Sequence, residues 1–231
     1  MNAALVVPRR TLLALGSAVA ASAATRAWSQ APALKPHFVA ADALDLREVQ
    51  PPWPADGTLA GEADLNTVLA AQALRSPSDI QAARDDAGNG PQAWLGSALG
   101  AEWVSKYAAR FMPLLDRVRA DLDPYAHVSP HPRRARPSER DARVQPVVAF
   151  NHGAYPSART QSTLVWAEVV GDLHPDVLDR LQAHAARSAW LRVVGGVHYP
   201  TDLEGGRRVA RAFLARLRAS AAYRAERDAL L

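Results

Sequence analysis

Between Leu191 and Asp202 the chain reads Leu-Arg-Val-Val-Gly-Gly-Val-His-Tyr-Pro-Thr-Asp, which puts an arginine, a histidine and an aspartate into one short segment. These residue types suit phosphoryl transfer through a covalent histidine intermediate. Arg192 can grip phosphate oxygens with its planar fork, His198 can attack phosphorus, and Asp202 can hold the imidazole in the attacking tautomer. The same residues also admit a structural reading, a histidine in a His-Tyr-Pro turn followed by an aspartate at a helix start. Upstream, Tyr155-Pro156-Ser157-Ala158-Arg159 offers a serine hydroxyl and a helix start whose backbone amides favour an anion. Arg159 reads either as an exposed residue of the first helical turn or as an added phosphate clamp. Arg136, in Arg136-Pro137, supplies another guanidinium, and His152 lies close enough in sequence to Pro156 to serve as a substitute proton donor.

Helices must position these groups. Leu65, Val68, Leu69 and Ala73 recur at helical spacing, and Ile80, Ala83 and Ala87 mark a second piece after Ser76-Pro77-Ser78. Trp94 to Leu122 carries Trp103, Tyr107, Phe111 and Leu115 four apart, a core-facing stripe, with Pro113 expected to kink or divide it. Residues 123 to 157 form a long irregular connection rich in proline, arginine and histidine. Loops of that length inside a domain are usually functional or disordered. Helical texture returns at Ser162 to Val170, Pro175 to Leu191 and Leu203 to Ser220, where Val209, Phe213 and Leu217 fall four apart. Val144 to Phe150 is the one short strand candidate. The fold class expected is all-α, a single-domain helical bundle with its chemistry on loops and helix starts.

A chain of 231 residues, 48% of them hydrophobic, can bury one substantial core. Its N-terminus reads as an export signal over residues 1–29: Arg9-Arg10, an uncharged run from Thr11 to Ala24, and Ala27-Trp28-Ser29 before the cleavage point. The arginine pair fits a twin-arginine route or an ordinary secretory one. Residues 30–57 hold Pro32, Pro36, Pro51, Pro52 and Pro54, which predicts an extended arm lying over a helical domain of residues 58–231. Cleavage would remove three arginines and no acid, taking the formal charge from +4 to +1, so the basic balance gives no support to nucleic-acid binding. The chain has no cysteine, which excludes disulfides and thiolate metal sites. No segment after the leader is apolar for the length of a bilayer, so no integral membrane span is expected in the mature protein.

Taken together, these segments resemble the type 2 phosphatidic acid phosphatase and vanadium haloperoxidase superfamily, and within it most nearly the bacterial class A non-specific acid phosphatases. The third motif of that family is Ser-Arg, five residues, His, three residues, Asp; here Arg192, His198 and Asp202 keep the spacing and Leu191 replaces the serine. The second motif, Pro-Ser-Gly-His, appears as Pro156-Ser157-Ala158-Arg159. The first, a lysine, six residues, then Arg-Pro, ends in Arg136-Pro137 but has Ser129 at the lysine position, and the chain's two lysines, Lys35 and Lys106, lie elsewhere.

The resemblance implies an all-helical phosphatase fold in which His198 becomes phosphorylated, Asp202 orients it, and Arg192, Arg136 and Ser157 bind the phosphoryl group. Arg159 stands where the family has the histidine that protonates the leaving oxygen. An arginine holds its proton throughout the physiological range, so turnover should be slow or restricted to good leaving groups. The function expected is an exported, periplasmic or secreted phosphatase acting on small phosphate monoesters, with no metal or organic cofactor and with vanadate only as a phosphate surrogate. An inactive phosphate-binding domain of the same fold and a vanadate-dependent haloperoxidase are the other readings. Oligomeric state is left open.

Overall fold

The computed structural model describes residues 35–231; the expected leader, residues 1–29, and the first residues of the arm lie outside them. All regular structure among the described residues is helical, with ten α-helices, two single-turn 3-10 segments and no strand. The all-α expectation therefore holds.

The arm is less extended than its prolines predict. It contains a one-turn helix, α1 (Leu46–Val49), capped by the Asp45 carboxylate, which accepts from the Arg47 amide. It is also pinned to the domain, because the amides of His37, Phe38 and Val39 all donate to the buried Asp121 carboxylate at 2.6 to 3.0 Å. That anchorage brings Val39 and Leu44 into the core.

Two capped helices follow. Thr58 caps α2 (Leu59–Leu74) through the Gly61 amide, and Ser76 with Asp79 forms a reciprocal capping box on α3 (Pro77–Gly88). The long helical pattern is divided, but not where proline predicts. It splits into α4 (Pro91–Leu99) and α5 (Ala101–Leu122) at Gly100, whose φ of 94° is a left-handed value that favours glycine. Pro113 sits inside an uninterrupted α5. Both Pro113 and Ala109, whose carbonyl loses its amide partner, face solvent, where water can satisfy the freed oxygen.

After the short α6 (Pro137–Arg140), the helices α7 (Ala158–Leu173), α8 (Leu178–Val194) and α9 (Pro200–Ala219) pack on one another, and α10 (Ala221–Asp228) closes the chain against α9. The main core joins Trp94, Phe111, Leu115, Val170, Leu181 and Phe213. Each such side chain contributes about 1.5–3 kcal/mol by leaving water. Trp103, Tyr107 and Phe111 hold the His174 ring, with centroids 5.1 to 5.9 Å apart, so the aromatic stripe is core as expected. A smaller apolar cluster of Leu65, Val68, Val144, Val193, Tyr199 and Leu203 underlies the α8–α9 turn.

Residues 144–150 do not form a strand, because no neighbouring strand offers a ladder. They run as an irregular strap whose backbone is satisfied piecemeal. Val147 donates to the Gly195 carbonyl at 3.0 Å, Gln145 donates to the Gln72 side chain at 2.6 Å, and Arg75 donates to the Gln145 carbonyl at 3.0 Å.

Candidate active site

His198 is presented by the turn between α8 and α9. The Val197 and His198 amides both donate to the Arg192 carbonyl, at 3.0 and 3.2 Å, and Gly196 makes the turn with a φ of 70°. Asp202 occupies the third position of α9, where its Oδ2 accepts from the Tyr199 amide at 2.8 Å and lies 3.3 Å from His198 Nδ1. One carboxylate thus serves the start of α9 and contacts the His198 ring. α9 approaches the start of α7 closely, and a Cβ on Gly206 would come within 2.5 Å of the Ser157 carbonyl. The Ser157 amide in turn donates to the Asp202 carbonyl at 3.0 Å.

On the other edge of the imidazole, Arg136 Nη1 lies 3.0 Å from His198 Nε2. A guanidinium can only donate, so Nε2 must be the lone-pair nitrogen and Nδ1 must carry the proton that Asp202 accepts. This is the tautomer a nucleophilic histidine needs. Burial pushes His198 down to about 4, opposed only in part by Asp202 and reinforced by Arg136, so the ring stays neutral from neutral pH to well into acid.

Arg136 is itself 4% exposed, and burial pushes it down to about 10. Its other partners are the Val197 carbonyl at 2.7 Å, the His152 carbonyl at 3.0 Å and His152 Nδ1 at 2.8 Å. All are neutral acceptors, and no carboxylate pairs with this guanidinium among the described residues. Phe150 covers it, with its ring centroid 4.9 Å away. A cleft of about 90 Å³ opens beside Arg136, lined by Pro146, Val148, Phe150 and Val197. A larger cavity, about 470 Å³ between α7, α8 and α9, contains none of the candidate groups.

Two residues that local spacing does not mark hold Asp202 in place. Arg134, 4% exposed, donates to Asp202 Oδ1 at 2.6 Å, to Thr201 Oγ1 at 2.7 Å and to Asp64 Oδ2 at 2.7 Å, and it stacks on Tyr199. Asp64 also takes the Thr201 amide and hydroxyl. Arg134 is therefore a buried and engaged guanidinium. The sequence does carry one faint signal: Arg134 and Arg136 are two apart, and in extended backbone such side chains share a face.

The remaining candidates are engaged by partners other than His198. Arg192 is held by α3, donating to the Ala83 carbonyl at 2.8 Å and pairing with Asp86 at 3.1 Å. Its Nε has no partner among the described residues. Arg159 binds both oxygens of the same Asp86, at 2.9 and 3.1 Å, and the Asn89 carbonyl at 2.6 Å. It is neither solvated nor free to clamp a ligand in this arrangement. Ser188 donates to Asp86 at 2.7 Å and receives Trp94 Nε1 at 2.9 Å. Ser157 is buried as the N-cap of α7, accepting from the Thr160 amide at 3.3 Å and hydroxyl at 3.0 Å. Ser129, at the expected lysine position, accepts from the His131 amide. His152 is stacked on His127, with centroids 4.0 Å apart. No protein-family model matches the chain, and no curated protein matches it.

Proposed function

We propose that this chain is an exported phosphomonoesterase of the acid phosphatase type, working through a phosphohistidine at His198. The observation that carries the reading is Arg136: a buried guanidinium, bonded only to neutral acceptors, touching the free lone pair of an imidazole whose other nitrogen is held by a carboxylate. Burying such a charge without a directly bonded counter-ion is costly, and a phosphate oxygen would relieve that cost at the point where the nucleophile is aimed. The family spacing of Arg192, His198 and Asp202 supports the same reading.

In the reaction, His198 Nε2 attacks phosphorus in line while Arg136 exchanges its imidazole contacts for equatorial oxygens. Asp202, locked by Arg134 and the Tyr199 amide, stabilises the positive charge that develops on the ring. Water then cleaves the phosphohistidine. A second reading, an anion-binding domain without turnover, rests on the same Arg136 together with Asp86, which keeps Arg192 and Arg159 from the transferring group and leaves one guanidinium for an anion.

The two separate in one experiment. The protein is assayed on an activated aryl phosphate and titrated with inorganic phosphate by calorimetry, beside His198→Ala. Aryl turnover that disappears in His198→Ala supports the enzyme. Phosphate binding without turnover in the parent supports the binding domain, and neither turnover nor binding overturns both.

A further inference from the structure

The site lacks an acid for the leaving oxygen at position 159, but the strap brings another imidazole to the same guanidinium. His198 Nε2 lies on Arg136 Nη1 and His152 Nδ1 on Arg136 Nη2, at 3.0 and 2.8 Å. A phosphoryl group taken up by Arg136 in place of these nitrogens would lie between the two rings. In-line attack from one side places the leaving oxygen toward the other.

We infer that His152 is the proton donor of this site, and that it is armed only when protonation detaches its Nδ1 from Arg136. The inference rests on the phosphatase reading above. As the structure stands, Nδ1 receives a hydrogen bond from a permanent donor and so must be unprotonated. Once protonated, it can no longer face Arg136 Nη2, but the Gly153 carbonyl lies 3.4 Å away to receive the new N–H. The same event therefore frees an edge of Arg136 for phosphate and charges the acid.

The surroundings of His152 set when this happens. Its ring is faced by Arg136, by Arg133, which is paired with Glu139, and by His127, which is stacked on it. Burial holds His152 below its ordinary value; the Gly153 carbonyl pulls it back up, and Arg136 and then Arg133 add smaller downward contributions. Burial likewise lowers His127, with further contributions from His152 and Arg136. His198 meanwhile remains neutral to about 4. The two requirements, His152 protonated and His198 not, overlap only in acid, which gives a bell-shaped profile with its maximum between about 4 and the ordinary histidine value of 6.5.

The chemistry balances. The His198 lone pair forms the N–P bond as the P–O bond to the leaving group breaks; that oxygen keeps the bond pair and takes the proton from His152 Nδ1. In the second half neutral His152 takes a proton from water as the water oxygen attacks phosphorus, and the N–P bond pair returns to His198. The products are alcohol and phosphate, and His152 is again protonated.

The test compares the parent with His152→Gln and His127→Phe on 4-nitrophenyl phosphate and on an alkyl phosphate across pH 4 to 8. Loss of an acid costs about 10²–10⁴-fold with a poor leaving group and much less with a good one. His152→Gln should therefore lower alkyl kcat by that range, spare aryl kcat comparatively, and lose the basic limb of the aryl profile. His127→Phe keeps a stacked ring and removes a group that does not contribute to the lowering of His152, so the basic limb should stay where it is in the parent. Thermal unfolding of each variant reports folding, and imidazole NMR titration of His152 in the parent reads the proposed proton directly. An unchanged alkyl-to-aryl ratio and unchanged profile in folded His152→Gln, with the parent active, overturns the role of His152 alone. A parent inactive on both esters at every pH overturns the phosphatase reading and this inference with it.

Discussion

Two arginine clusters in the molecule behave differently. Around Asp86, one carboxylate serves Arg159 and Arg192 together and is braced by Ser188, so both guanidiniums already have an anion of the chain. Around His198, the two carboxylates Asp64 and Asp202 both go to Arg134, and Arg136 is left on neutral nitrogens and carbonyl oxygens. Residue type is the same in both places; what differs is who received the carboxylates. An arginine count near a phosphatase-like motif says little until its counter-ions are known, because a cation that is already paired offers an incoming phosphate far less.

The sharpest way to break this contrast is to remove the cation that holds the carboxylates. Arg134→Met leaves Asp64 and Asp202 buried without their shared partner and should cost about 4–5 kcal/mol, read by urea unfolding. A cost near that of a surface pair, below about 1 kcal/mol, would show that the buried charges do not hold the His198 site together.

Next in size is Asp86→Asn, which strands two guanidiniums and should destabilise by about 3–4 kcal/mol. Inorganic phosphate should then raise the variant's unfolding midpoint more than it raises the parent's. Equal shifts in the two proteins would mean that Arg159 and Arg192 do not reach an added anion.

The third effect is spread over pH. The folded chain keeps His198 neutral down to about 4, whereas an unfolded chain protonates it near 6.5. The unfolded state therefore binds the extra proton in that window, and stability falls as pH is lowered through it, by on the order of 3 kcal/mol in all. His198→Gln should flatten the curve between those values. A slope that survives this change would assign the acid sensitivity to other groups.

Much of the fold was legible because it is written locally. Apolar spacing located the helices, Ser76-Pro77-Ser78 marked a start, and the aromatic stripe from Trp103 to Leu115 went to the core. Pro113 misled because its cost depends on whether the face it occupies is wet, which the tertiary packing decides. The strap at 144–150 misled because alternation makes a strand only when a partner strand exists. In the site, the His198–Asp202 pair was legible from its four-residue spacing across a turn and a helix start. Arg134 with Asp64, and Asp86 with Arg159 and Arg192, were not, because those partners stand 70 or more residues apart and no periodicity connects them.

Asp86 has one further consequence, which is kinetic as well as energetic. A counter-ion built into α3 never dilutes. It competes for Arg192 at an effective concentration fixed by the fold, on the order of millimolar or higher for tethered groups. Any anion brought to Arg192 would thus have to displace Asp86 rather than simply add to the site.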